Sequence, residues 1–176
     1  MRIYSKIKQR LFRGYFRIGA HIHVRHWRGH GIHSPFMYGI VRNVFMKSRI
    51  TGGDTALYEA LRGERIGKKN AVKLQNLYTH CRMDGYTLVP DIGAAPHGAR
   101  TLYVLLPDVT METVVATARE AAARRGCLVL LSPHRSARCR RLARQIREHY
   151  PCVSVDRRLM MIYFFNPKLQ PQHYII

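Results

Sequence analysis

The sequence predicts an α/β protein of three layers, in which a sheet lies between helices and follows a helical extension. Three short β-type runs alternate with two helical patterns. The runs cover residues 101–106, 127–131 and 159–165, and the helical patterns cover residues 110–125 and 133–150. Strands that alternate with helices are typical of a parallel sheet covered by helices.

Further signals mark the limits of these elements. Gly126 follows the first helical pattern, where glycine commonly ends a helix, and Pro151 stops the second. A fourth run, at residues 153–156, joins the final one through Arg157 and Arg158. We therefore expect a closing antiparallel hairpin at the edge of the sheet, as mixed sheets often have.

Residues 1–53 form a strongly basic segment, which we expect to be a helical extension of an α/β domain at residues 54–176. The segment holds eleven Lys or Arg and no acidic residue. Apolar residues recur at helical spacing over residues 3–16 with basic residues between them, which indicates a basic amphipathic helix. Such a helix either packs on the domain or contacts phosphates or lipid headgroups, and its composition also resembles a mitochondrial presequence.

Three more helices are expected before the first strand. Ser34 is a suitable N-cap and Pro35 suits the first helical position, where its missing N–H costs nothing. Helical patterns follow at residues 54–65 and within residues 67–82, and a short β-type run at residues 86–89 comes next.

Charge is the strongest compositional signal. The 176 residues include 30 Lys and Arg against 10 Asp and Glu, for a formal net charge of +20. Self-repulsion at this charge opposes a compact state, so an anionic partner is expected to offset it. Nucleic acid is the first such partner and an anionic membrane surface the second, while a basic protein without such a partner is the alternative.

The sequence indicates no metal site, no membrane span and no secretory signal. The four cysteines form no CxxC, and the five histidines of residues 21–33 have no nearby carboxylate or cysteine, so no metal site is expected. No apolar run approaches the roughly 20 residues of a membrane span, and no secretory signal is recognisable, so we expect a cytoplasmic protein.

A resemblance to a known family rests on both ends of the chain. The string His-Gly-Ile-His-Ser-Pro-Phe at residues 30–36, residues 58–62 and the lysine-rich start of residues 68–78 resemble class I S-adenosylmethionine-dependent methyltransferase-like proteins of Bacteroidetes type. Residues 155–165 and 172–174 resemble the closing part of that family. The resemblance implies a Rossmann-like fold and, in an active member, S-adenosylmethionine as cofactor.

The same resemblance implies a cofactor site that is incomplete here. Residues 90–99 resemble the glycine-rich turn after the first strand of the family, which assigns cofactor contacts to Asp91, Gly93 and Gly98, and Asp108 occupies the position of an acid after the fourth strand. The next β-type run follows at once, although a parallel connection usually needs a dozen or more residues. The chain therefore reads as a shortened, truncated methyltransferase fold that lacks the ribose-binding acid, and residues 91–96 are alternatively an ordinary turn.

No set of residues converges on catalysis, so no catalytic residue is assigned. His97 and His134 lie in expected loops, where either is a candidate base. Asp108 is the best single acid, because ligands of open α/β sheets bind at the carboxyl ends of strands. The role that we prefer for Asp108 is nevertheless to cap the helix that begins near Thr110.

The arginines of the second helical pattern form the strongest candidate binding site. Their forked guanidinium groups suit phosphates, and the helix carries a single acid, Glu148. The predicted anion-binding residues are Arg135, Arg138, Arg141, Arg144 and Arg147, with further charge from Arg124, Arg125, Arg157 and Arg158.

Three functions follow in order of preference. The first is a methyltransferase-like protein that has lost catalysis and binds an anionic partner such as nucleic acid. The second is an active S-adenosylmethionine-dependent methyltransferase, in which an oligomer completes the pocket. The third is a peripheral protein of a membrane surface that uses the helix at residues 3–16.

Overall fold

A computed structural model describes residues 31–90 and 100–176 of the chain. The first described helix, α1 (Pro35–Ile40), begins as predicted, since the Ser34 hydroxyl accepts a 3.3 Å hydrogen bond from the Met37 amide. It continues directly into a π-helical turn, Val41–Phe45. Two predicted helices follow as α2 (Ala56–Gly63) and α3 (Lys68–His80).

A six-stranded mixed sheet forms the centre of the fold. Its strands are β1 (Gly85–Val89), β2 (Thr101–Leu105), β3 (Cys127–Leu131), β4 (Val153–Arg157), β5 (Met160–Phe164) and β6 (Gln172–Ile175). They lie in the order β1-β2-β3-β5-β4-β6. β5 runs antiparallel to both of its neighbours, and all other pairs are parallel. Every residue of β2, β3 and β5 is buried, as expected for strands covered on both faces.

The closing hairpin is present, but its predicted position at the sheet edge is wrong. β5 pairs with β3 on one side and with β4 on the other, so the hairpin lies inside the sheet. The edge is occupied by β6, which pairs in parallel with β4 and was not predicted as a strand. Four residues after Pro171 present too short a pattern to distinguish a strand from a tail.

Two helices cover one face of the sheet. They are α4 (Met111–Ala123) and α5 (Ala137–His149), and each begins at a hydroxyl N-cap, Thr110 and Ser136 respectively. Their apolar faces pack on alternate residues of the central strands, among them Tyr103 and Tyr163. The opposite face packs against α1, α2 and α3. The predicted three layers are therefore present.

The segment just before residue 53 belongs to the same core as the sheet. Ile32, Met37, Ile40 and Val44 are buried and cluster with strand residues such as Ile162. The expected division of the chain at residue 53 stays a prediction, and the expected helix at residues 3–16 lies outside the described residues. Among the described helices, none combines the length and apolar character needed to cross a membrane.

Candidate functional site

Five strands, β1, β2, β3, β4 and β6, run in the same direction, so their carboxyl ends lie side by side. We call this end of the sheet, which is distinct from its edge strands, the carboxyl edge. Open α/β sheets bind ligands at this edge. The polar groups that follow the strands there include Asp108 after β2, His134 and Arg135 after β3, and Asp156 and Arg157 at the end of β4.

Asp108, the acid assigned to the cofactor by resemblance, is paired with an arginine. Its Oδ1 atom lies 3.1 Å from Nη1 of Arg135, and its side chain is 99% exposed. Asp108 does not cap α4, since the Thr110 hydroxyl accepts the hydrogen bond from the Thr113 amide at 3.2 Å. An exposed ion pair contributes about 1 kcal/mol or less. It nevertheless involves Asp108, the best single acid that the sequence offers.

The remaining cofactor residues expected from the resemblance are Asp91, Gly93 and Gly98. They lie outside the described residues, as does His97. β1 ends at Val89, immediately before this segment of the sequence. β2 pairs directly with β1, and the two strands are parallel over the whole of β1, from Gly85 to Val89.

The arginines of α5 divide into exposed and partly covered groups. Arg138, Arg141 and Arg144 are exposed and follow one another at three-residue spacing, which makes them neighbours on the helix surface. None of the three forms an ion pair with a described residue. Arg147 is half-buried, and its charge helps to lower the pKa of His173 of β6.

Arg124 and Arg157 were expected to add charge to the arginine surface of α5, but neither belongs to it. Arg124 is paired with Glu120 of its own helix, Nε to Oε1, at 3.1 Å. Arg157 lies on the other face of the sheet, where its guanidinium carbon is 4.6 Å from the centroid of the Phe45 ring. Alternation along β4 explains this, because Arg157 follows the buried Val153 and Val155 on the α1–α3 side.

A cleft of about 630 Å³ separates the first turns of α4 and α5. Thr110, Glu112, Arg138 and Cys139 contribute to its lining. Burial alone would raise the pKa of the Cys139 thiol, but hydrogen bonds with Ser136 and Arg135 and the positive charges of Arg135 and Arg138 outweigh burial and lower it. The sequence signal that marks this cysteine is a serine cap three residues earlier, with flanking arginines.

His134, a candidate base from the sequence, is held by a carboxylate. Its Nε2 atom lies 2.9 Å from both Oδ atoms of Asp156. Asp156 also accepts a 3.1 Å hydrogen bond from the Arg158 amide, so it anchors both the β3–α5 loop and the turn of the hairpin. The sequence does not indicate this pair, because His134 and Asp156 lie 22 positions apart. The contact orients the imidazole and connects two loops at the carboxyl edge.

The described residues contain no group of three or more histidine, cysteine or acidic side chains arranged to hold a metal ion. Four of the five clustered histidines precede residue 31 and are not described. Across residues 31–90 and 100–176, the structure therefore brings together an arginine surface, an acid–arginine pair and a histidine–carboxylate pair. No family model, no curated protein and no solved structure matches this chain.

Proposed function

We propose that this chain is a shortened class I methyltransferase-like protein that has lost catalysis and binds nucleic acid through the exposed arginines of α5. The observation that carries the proposal is the set of neighbouring, unpaired guanidinium groups of Arg138, Arg141 and Arg144. Each presents a planar fork of donors that suits a phosphate bidentately. The net charge of +20 adds attraction over longer distances.

The sheet topology supports the methyltransferase-like part of the proposal. A reversed strand, β5, lies between two strands of the opposite direction, and a hairpin connects it to β4. A mixed sheet covered by helices on both faces is compatible with the Rossmann-like fold that the resemblance implies. The direct pairing of β1 with β2 across residues 90–100 supports an internal deletion, since these residues cannot supply two further strands with their helices.

Loss of catalysis is supported by the polar contacts and the missing strand at the carboxyl edge of the sheet. The acid predicted to face a cofactor there, Asp108, forms an ion pair with Arg135. The deletion removes the strand that would hold the ribose-binding acid. Positioning of the methyl donor is the main requirement of methyl transfer, and a sheet without that strand cannot position the ribose.

The proposal is tested by titrating labelled single-stranded and duplex oligonucleotides with the full chain over a series of salt concentrations. Phosphate contacts release condensed counterions, so the logarithm of the affinity should fall linearly with the logarithm of salt, by about 0.7 to 0.9 per contact. Anionic vesicles are titrated in parallel. Binding to vesicles without binding to oligonucleotides would support a membrane-surface function instead, and binding to neither at low salt would overturn the proposal.

An active methyltransferase is the second candidate, and the order of elements favours it. β1 ends at Val89, next to β2, which leads to Asp108, and the glycine-containing residues 90–99 follow β1 in the sequence. Calorimetric titration with S-adenosylmethionine and with its demethylated product distinguishes the two functions. We expect no binding by the monomer, and a dissociation constant in the low micromolar range, about 8 kcal/mol of binding, would establish an intact pocket.

A further inference from the structure

The outer face of α1 and of the π-helical turn presents apolar side chains to solvent. Tyr38 is 48% exposed and Met46 is 43% exposed. Arg42 lies four residues after Tyr38 and four residues before Met46, so the three side chains are neighbours along one side of the helix. The Nη1 atom of Arg42 lies 3.7 Å from the sulfur of Met46, in agreement with this arrangement. The exposed side of the helix is therefore an apolar stripe with a cation within it.

Two more exposed cations follow this stripe in the chain. Arg42, Lys47 and Arg49 are all exposed, and none of them forms an ion pair with a described residue. Residues 31–53 contain no acidic residue. The segment therefore combines exposed apolar side chains with positive charge that no acid of its own offsets.

The backbone that carries Lys47 and Arg49 is fixed on α3. The Nζ atom of Lys73 donates a hydrogen bond to the carbonyl oxygen of Lys47 at 3.3 Å. The buried Asn76 donates one to the carbonyl oxygen of Arg49 at 2.9 Å. Because the backbone is held at both residues, less conformational entropy is lost when their side chains meet a partner.

We propose that this face docks on the surface of an anionic lipid bilayer. The residues of this α1 face are Tyr38, Arg42, Met46, Lys47 and Arg49. The cations attract the anionic headgroups, and the two apolar side chains lose water-exposed area when they enter the boundary between headgroups and acyl chains. Tyrosine is favoured at that boundary. The exposed thioether of Met46 favours lipid over nucleic acid as the partner, since unpaired bases stack on aromatic rings.

Docking through the α1 face leaves the arginines of α5 accessible. α1 and the π-helical turn pack on one face of the sheet, and α4 and α5 pack on the other. A chain that lies on a bilayer through the α1 face therefore turns Arg138, Arg141 and Arg144 away from the lipid. The proposal does not depend on the function proposed for those arginines.

The test measures binding of the full chain to vesicles of phosphatidylcholine, alone or mixed with an equal amount of phosphatidylglycerol. Wild type should bind the anionic vesicles more tightly than the neutral ones, and salt should weaken this binding. Exchange of Arg42, Lys47 and Arg49 for glutamine should weaken it on the order of a hundredfold, because each cation near an anionic surface contributes about 1 kcal/mol, a factor of about five. Exchange of the three exposed α5 arginines removes the same charge from the opposite face and should weaken it far less.

A second pair of variants isolates the apolar contribution. Met46→Ser should weaken binding to the anionic vesicles several-fold, because less apolar area is removed from water. Val115→Ser is the matched control, since Val115 is also 43% exposed but belongs to α4, on the opposite face of the sheet. Its binding should equal that of wild type.

The orientation of the bound protein gives an independent readout. A polarity-sensitive dye at residue 48, attached through Ser48→Cys in a Cys139→Ser background, should shift its emission to the blue when anionic vesicles are added. The same dye on Cys139 of the wild-type chain should not shift, because Cys139 lies on α5.

Equal vesicle binding by wild type and the triple variant of the α1 face overturns the proposal, as does the absence of any preference for anionic vesicles. Loss of oligonucleotide binding by that triple variant, with unchanged vesicle binding, would assign the α1 face to nucleic acid and overturn it as well. None of these outcomes alters the test of the α5 arginines, which is the salt dependence of oligonucleotide binding.

Discussion

The hydroxyl of Tyr163 donates a 2.8 Å hydrogen bond to the carbonyl oxygen of Ala143. Tyr163 belongs to β5, and its side chain is fully buried. Burial raises the pKa of its hydroxyl, so the group stays protonated and remains a donor at neutral pH. Ala143 lies in the middle of α5, next to Arg144. The bond therefore connects the inserted strand to the helix that carries the exposed arginines.

Replacement of Tyr163 by phenylalanine should destabilise the protein without disturbing the core. The carbonyl of Ala143 keeps its helical hydrogen bond, so the loss should be about 1 kcal/mol, the typical net contribution of one buried hydrogen bond. Urea unfolding followed by circular dichroism measures this free energy. Tyr38→Phe is the control, because Tyr38 is 48% exposed and should change stability negligibly. Equal effects of the two substitutions would mean that the Tyr163 bond contributes nothing to stability.

A loss of stability in mild acid is expected from His173. Burial first, and then the charge of Arg147, lower its pKa, against an opposing effect of Asp156, and its Nδ1 atom lies 2.9 Å from the Ser154 hydroxyl. Its pKa in the unfolded chain is about 6.5. Between the folded and unfolded pKa values the unfolded chain binds more protons, so stability falls as pH decreases through about 6.5. The loss levels off below the folded pKa.

The measurement is the urea midpoint from pH 7.5 to pH 5 for wild type, His173→Gln and His149→Gln. Replacement of His173 should flatten the pH dependence, since glutamine does not titrate in this range. His149 is exposed, so its replacement should leave the dependence as it is in wild type. A wild-type slope that persists in His173→Gln would assign the effect to other groups.

Cys139 should be the first cysteine to react with an alkylating reagent at neutral pH. Its pKa is lowered by Ser136, Arg135 and Arg138, which overcome the opposing effect of burial. Burial raises the pKa of Cys81 to about 12 and that of Cys152 to about 11, and it raises the pKa of the fully buried Cys127 as well. Since the thiolate is the reactive form, mass spectrometry after brief iodoacetamide treatment should find the label at Cys139.

The variant Arg135→Gln checks the cause of this reactivity. It removes both a hydrogen bond and a positive charge from the thiolate, so labelling of Cys139 should slow several-fold at pH 7. Arg119→Gln removes one positive charge that lies outside the cleft, so it should not slow the labelling of Cys139. Initial labelling at Cys81 or Cys152 would contradict the environment described for Cys139.

The central part of the fold was predictable because its signals are local. The runs at β2, β3 and β5 are apolar and short, the helices between them have capping residues, and the Ser34 cap occurs where expected. β6 was missed because its stability comes from pairing with β4, a contact with residues about twenty positions earlier. The position of the hairpin follows from that same pairing, so both errors have one cause.

The candidate site was predictable in composition and less so in arrangement. The sequence indicates an arginine-rich helix, and the exposure of Arg138, Arg141 and Arg144 agrees with it. The pairing of Asp108 with Arg135 joins residues 27 positions apart and depends on the packing of two loops. Arg157 was grouped with the α5 arginines because its face is decided by its place in the alternation along β4, and its residue type carries no information on that.

Exchange of Arg138, Arg141 and Arg144 for glutamine should weaken binding to the same extent for oligonucleotides of every base sequence. Each lost phosphate contact reduces the slope of log affinity against log salt by about 0.7 to 0.9, so three lost contacts should flatten it by about two to three. The fold should survive, since exposed arginines contribute little to the core. Fluorescence anisotropy with a labelled oligonucleotide measures the slope, and circular dichroism verifies the fold.

A matched triple variant separates specific contacts from total charge. Arg62, Arg65 and Arg82 are exposed and lie at the ends of α2 and α3, on the other side of the sheet. Their exchange for glutamine lowers the net charge from +20 by the same amount, so it should slow association slightly through weaker long-range attraction. It should leave the salt slope close to that of wild type, because no phosphate contact is lost. If the two triple variants flatten the slope equally, the protein binds nucleic acid through diffuse charge, and α5 is not the binding surface.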